Sequence, residues 1–98
     1  MILVRDIFQL KFGKAKDAKA LLKEGIAINK KLGFPMGRAL TDLTGRSYTL
    51  VLENEWKSFA DWENSMKSGL ATDEWQKWYQ KFVPLCEKGS REIFTVLE

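Results

Sequence analysis

Asp6 is the residue in this chain with the clearest potential for chemistry. It sits in the middle of a strand-like run from Ile2 to Phe12, between Val4 and Phe8 on the same face. An isolated carboxylate among apolar neighbours costs on the order of several kcal/mol unless it is paired, hydrogen-bonded or protonated. Desolvation disfavours the charged form of a carboxylate, which is how such a group becomes a general base near neutral pH. Asp6 is therefore the candidate catalytic residue. A structural reading stands beside it: a hydrogen bond to a hydroxyl such as that of Tyr48, or a strand whose two faces are the reverse of those assigned.

Other chemistries are narrowed by composition. The chain contains no histidine, so the commonest general base and transition-metal ligand is missing, and neither a Ser–His–Asp nor a Cys–His arrangement can be built. No phosphate-binding or dinucleotide-binding glycine pattern occurs. Acidic pairs such as Glu53 with Glu55 and Asp73 with Glu74 suggest no metal site, and no cofactor is expected. The single cysteine, Cys86, reads as a thiol on the apolar arc of a helix, inert rather than nucleophilic. It cannot form an internal disulfide, which makes a reducing compartment the default. Arg5 and Asp6 interrupt the apolar start, and the segment lacks the cationic region and cleavage site of a signal peptide. No apolar run approaches the roughly 20 residues of a spanning helix. A cytoplasmic protein without membrane association is expected.

The net charge of +3 is unevenly placed: Lys11, Lys14, Lys16, Lys19, Lys23, Lys30 and Lys31 are offset locally only by Asp17 and Glu24. Lys16, Lys19, Lys23 and Lys30 fall in one sector of a helix. No aromatic residues interleave with them, so a solvated helix face is favoured over a nucleic-acid stripe.

The elements that would position Asp6 follow from periodicity. With 98 residues, a single domain over 1–98 buries roughly 60–65% of its unfolded surface. The first strand presents Ile2, Val4, Asp6, Phe8, Leu10 and Phe12 on one face. A helix over residues 14–32 carries an apolar stripe of Ala18, Leu21, Leu22, Gly25, Ile26 and Leu32, and stops at Gly33 and Pro35. Thr44-Gly45 reads as a two-residue hairpin turn, which would pair Thr41 with Tyr48, Ala39 with Leu50 and Gly37 with Leu52. Ser58 with Asp61 opens a short helix ending at Gly69, and Thr72 caps a second carrying Trp75, Trp78, Tyr79, Phe82 and Cys86. Pro84 should kink or shorten that helix, Lys88-Gly89 should end it, and a closing strand runs over Ser90–Glu98. Trp56 is placed to cap the end of the sheet.

Strand, helix, hairpin, helical region, strand is the split βαβ plan of a ferredoxin-like α+β sandwich: four antiparallel strands in the order 4-1-3-2, with helices on one face. Leu3, Ile7, Leu40, Val51, Ile93 and Leu97 are then left on the other face. An exposed, half-apolar sheet face of this kind predicts a homodimer packed sheet to sheet, oriented by Arg5, Arg38, Asp42 and Glu53.

Several short motifs carry a resemblance. Phe8-Gln-Leu-Lys-Phe-Gly-Lys14, Ser58-x-x-x-Trp62, Asp73-Glu-Trp75 and Arg91-Glu-Ile93 resemble segments of NIPSNAP-like domains, members of the dimeric α+β barrel superfamily that also holds the antibiotic-biosynthesis-monooxygenase domains. The resemblance spans essentially the whole chain and implies the fold more than a chemistry. In the haem-degrading branch of those relatives an Asn stands where Asp6 does here, and Trp62 looks like the counterpart of a helix Trp. The haem-ligating His has no equivalent, which argues against haem degradation.

Two functions are expected on this basis. The first is the binding of a small hydrophobic or aromatic organic molecule between sheet and helices, in a pocket lined by Asp6, Phe8, Tyr48, Leu50, Trp62 and Phe94. The alternative is a cofactor-independent monooxygenase-like enzyme acting on a small aromatic or quinol-type substrate, with Asp6 as base, Tyr48 as donor to the developing oxyanion and Trp62 as a stacking wall.

Overall fold

The computed structural model describes residues 1–97. The elements are β1 (Ile2–Leu10), α1 (Ala15–Lys31), β2 (Gly37–Thr41), β3 (Thr49–Trp56), α2 (Phe59–Gly69), α3 (Asp73–Phe82), a 3-10 turn (Val83–Leu85) and β4 (Cys86–Thr95). The strands form one antiparallel sheet in the order β2-β3-β1-β4, and the fold is a ferredoxin-like α+β sandwich.

Local chemistry explains the helix starts. The Ser58 hydroxyl accepts a hydrogen bond from the Asp61 amide at 3.1 Å, and Thr72 does the same for Trp75 at 3.4 Å, satisfying donors that the first turn leaves unpaired. Gly25 is buried in the middle of α1 because the Trp78 indole lies against it; a Cβ there would stand 2.7 Å from the ring. The Trp78 indole N–H donates to the Leu21 carbonyl at 2.8 Å, which fixes α3 against α1.

The densest core occupies one end of the sandwich. Leu10, Ala18, Leu50 and Phe82 are fully enclosed there, flanked by Phe8, Leu21, Leu22, Leu52 and Trp78. Phe82 stacks on Trp78 and meets Phe8 edge-on, each pair with centroids 5.0 Å apart. Trp56 is buried at the end of β3, edge-on to Phe34.

The hairpin register differs from the expectation. Ala39 lies opposite Leu52, Thr41 opposite Leu50 and Gly37 opposite Asn54, so the connection is the longer loop Asp42–Tyr48 rather than a turn at Thr44-Gly45. Asp42 closes that loop: its carboxylate accepts from the Thr49 amide at 3.0 Å, while its own amide donates to the Thr49 carbonyl. Tyr48 adopts a left-handed φ of 62°. Its carbonyl is turned to β1, where it accepts from the Leu10 amide at 2.8 Å. The slip is by two residues, so every β2 and β3 side chain keeps its expected face.

The final strand departs further. Pro84 cannot donate the next helical hydrogen bond, and α3 stops at Phe82. β4 therefore begins at Cys86, and Lys88-Gly89 lies within the strand rather than ending a helix. Asp6 pairs with Arg91, Val4 with Ile93 and Leu3 with Phe94. Directly paired residues share a face, so Arg91 and Ile93 lie on the helix side and Phe94 on the open side, the reverse of the expected placement of Ile93 and Phe94. Leu97 lies beyond β4 and is exposed. Phe12 lies beyond the end of β1 and is also exposed, its ring against Tyr48.

The open face carries Leu3, Ile7, Leu40, Val51 and Phe94 around a charged centre. Glu53, only 8% exposed, is held by Arg5 at 3.0 Å and Arg38 at 2.8 Å.

Candidate functional site

Beyond the tight core, sheet and helices diverge and enclose a cleft of about 1060 Å³. β1 supplies Val4, Asp6 and Phe8 to its floor, and β4 adds Arg91. The walls are Leu22, Gly25 and Ile26 of α1, Trp62 and Met66 of α2, and Trp75, Trp78 and Tyr79 of α3. These residues recur at helical spacing. Whereas Trp78 is fastened by its hydrogen bond to Leu21, Trp75 stacks on Tyr79 with centroids 4.8 Å apart. All four tryptophans line the cleft.

The polar centre of the cleft is one constellation. Arg91 Nε donates to Asp6 Oδ1 at 2.6 Å, a short charge-assisted hydrogen bond. The same guanidinium lies over the Trp62 ring, 5.2 Å from its centroid, and Phe59 packs against Trp62 with centroids 5.3 Å apart. A cation over an indole face is attracted by the ring quadrupole. Strand pairing thus brings Asp6 to Arg91, and the capped start of α2 brings Trp62 to the guanidinium. The partner foreseen for Asp6 was a hydroxyl such as that of Tyr48; the partner present is a guanidinium.

The other expected site residues divide. Phe8 lies in the cleft floor. Tyr48 does not reach the cleft: it packs against Phe12 beside a smaller hollow of about 280 Å³ near the β2–β3 loop. Leu50 is enclosed in the core and borders that same hollow. Phe94 lies on the opposite face of the sheet. The arrangement of Asp6, Tyr48 and Trp62 around one substrate is therefore not assembled. Arg91 is the residue that sequence reasoning missed. Its signal was a lone cation in a closing strand, legible only once that strand's pairing to Asp6 is known.

Cys86 also borders the cleft, at the first position of β4 rather than on a helix. Burial pushes its thiol up from the ordinary value, against a smaller opposing pull from Lys11. Its Sγ lies 3.7 Å from the Phe82 carbonyl. Among the described residues no group of three or more His, Cys, Asp or Glu could hold a metal ion, and no helix is long and apolar enough to cross a membrane.

Solved structures share this architecture closely. An uncharacterized NIPSNAP domain protein from Burkholderia xenovorans superposes with a TM-score of 0.90 at 16% identity, over 99% of this chain and 95% of its own. An antibiotic biosynthesis monooxygenase superposes at 0.78 with 12% identity, over 100% of both chains. A point mutant of SnoaB, a cofactor-independent oxygenase from Streptomyces nogalater, superposes at 0.77 with 13% identity, over 99% of this chain and 93% of its own. The structural neighbours are thus the two groups that the sequence resembles, and what they share with this chain is the fold. The sequence matches no family model and no curated protein.

Proposed function

We propose that this protein is a single-domain, cytoplasmic, homodimeric binding protein that holds a small, largely apolar organic molecule between sheet and helices. One observation carries the reading: a cleft of about 1060 Å³ is left open in a 98-residue chain, walled largely by aromatic and aliphatic side chains with the Asp6–Arg91 ion pair in its floor. Known ligand sites are concave, mostly apolar and furnished with few polar groups, and the cleft has that composition. A test is tryptophan emission screened across a library of small aromatic and aliphatic metabolites. Saturable quenching by at least one compound class, reduced in Trp62→Phe, is expected; no response from any compound would contradict the reading.

The homodimer rests on the open sheet face. Leu3, Ile7, Leu40, Val51 and Phe94 form its apolar part, and Arg5, Arg38 and Glu53 form a charged centre suited to fixing orientation about a two-fold axis. Light scattering should give twice the chain mass, falling to the monomer value in Phe94→Arg; a monomeric wild type would refute it.

A cofactor-independent oxygenase reaction is the second reading, favoured by the position of Asp6 in the cleft with Trp62 and by the fold shared with SnoaB. Two features weigh against it. Arg91 occupies one oxygen of the would-be base, and Tyr48 is remote. Arg91 would have to replace Tyr48 as the donor to a developing oxyanion. Oxygen uptake with quinol and polyphenol substrates, abolished in a folded Asp6→Asn protein, would establish catalysis; absence of turnover across the panel leaves binding as the activity.

A further inference from the structure

We infer that the cleft selects aromatic carboxylates, with Arg91 as the anion-binding residue and Trp62 as the surface that holds both the guanidinium and the ligand ring; this rests on the cleft-binding reading above. Guanidinium groups carry five N–H donors. Arg91 engages Asp6 through Nε at 2.6 Å, and neither of its terminal nitrogens has a hydrogen-bond partner among the described residues. The two members of the pair are unequally covered: the Asp6 side chain is 24% exposed and that of Arg91 49%. What the pair offers an incoming molecule is therefore chiefly its cationic half.

Orientation is already fixed. The Asp6 carboxylate holds one edge of the guanidinium and the Trp62 ring lies beneath it, so little side-chain freedom is left to lose on binding. The remaining edge suits the two oxygens of a carboxylate in the parallel two-bond geometry that arginine favours. The surrounding walls are mostly apolar, with Phe8, Met66, Trp75 and Tyr79 among them, while Lys30, Glu87 and Lys88 also border the cleft. A molecule with one carboxylate on an aromatic body fits both parts, the charge on Arg91 and the ring among the indoles. Asp6 thus acts as a positioning residue with an opposing effect, because it orients the guanidinium while its own negative charge repels the ligand.

Calorimetry with 2-naphthoate and its neutral isostere 2-naphthamide tests this. Wild-type protein should bind 2-naphthoate about tenfold more tightly than the amide, the worth of one good charge-assisted pair. Arg91→Gln should abolish that preference, and Arg91→Lys, which keeps charge but not the fork, should fall between. Asp6→Asn should bind 2-naphthoate more tightly than wild type, because the Asn side-chain oxygen can still accept from Arg91 Nε while the repelling charge is gone. Equal affinities in the wild type, a preference surviving Arg91→Gln, or weaker 2-naphthoate binding in a folded Asp6→Asn protein would overturn the inference and leave the binding cleft standing. If neither compound binds, while the wider metabolite library does quench, the inference alone fails; if nothing binds at all, both fail.

Discussion

The two ends of the helix–sheet interface are built from similar residues and behave differently. At one end Leu10, Ala18, Leu50 and Phe82 close on each other with almost no exposure. At the other, Trp62, Trp75, Tyr79 and Met66 stand around an open space. Both carry large apolar side chains at helical spacing, so hydrophobicity does not separate them. Closure does: at the inner wall of the cleft Trp78 is drawn onto Gly25, where the missing side chain lets α1 and α3 approach and seal the first end, whereas α2 meets β4 through Trp62 against the half-exposed Arg91. The first end is closed, and the second leaves apolar surface uncovered.

The largest expected effect breaks the closed end. Phe82→Ala removes a ring enclosed by Phe8 and Trp78 and should cost about 3–5 kcal/mol of unfolding free energy, read from urea denaturation. Trp62→Ala at the open end should cost about 1–2 kcal/mol, since the ring is half-buried and its neighbours are Phe59 and Arg91. Equal losses at the two sites would erase the distinction between them.

Gly25→Ala probes why the closed end closes. The added methyl would stand 2.7 Å from the Trp78 ring, so the ring must shift; overpacking of this sort costs about 1–3 kcal/mol despite the better helix propensity of alanine. A gain in melting temperature would show that the contact is slack. A smaller loss is expected on the open sheet face. Glu53→Gln leaves Arg5 and Arg38 without their shared carboxylate and should cost about 1–2 kcal/mol, tempered by the solvent that reaches both arginines.

The smallest effect concerns Cys86, at the boundary between the two ends. Its thiol is raised by burial, so it holds its proton to higher pH than a free cysteine and presents less thiolate at any pH below that point. Alkylation by iodoacetamide at neutral pH should be slower than for a cysteine peptide, and should accelerate only as pH rises past the ordinary thiol range. A rate matching the peptide would contradict the burial.

Much of this architecture was legible in the sequence because it is encoded locally. Ser58 and Thr72 announce helix starts that are then made by their own hydroxyls, and the alternation along β1 assigns Asp6 and Phe8 to the helix side. What was not legible depends on contacts remote in sequence. The hairpin register turned on the Asp42 carboxylate and on the Tyr48 carbonyl being taken by β1, neither of which follows from Thr44-Gly45. Ile93 and Phe94 are both apolar, so alternation could not orient β4; the pairing of Arg91 with Asp6 does. The same ambiguity hid Arg91 and placed Phe94 in a pocket it does not touch. Tyr48 and Leu50 were assigned to the helix side of the sheet but belong to the closed end, because face is fixed by parity and position along the strand is not.

The central claim, that the open end is a binding site and the closed end is not, is tested most directly by amide chemical-shift mapping of the labelled protein titrated with 2-naphthoate and 2-naphthamide. Saturable shifts should appear at Asp6, Trp62, Trp75 and Arg91, with Leu10, Ala18 and Leu50 unmoved. Shifts confined to the open sheet face, or none anywhere with these two ligands and with every compound of the metabolite library, would contradict the claim.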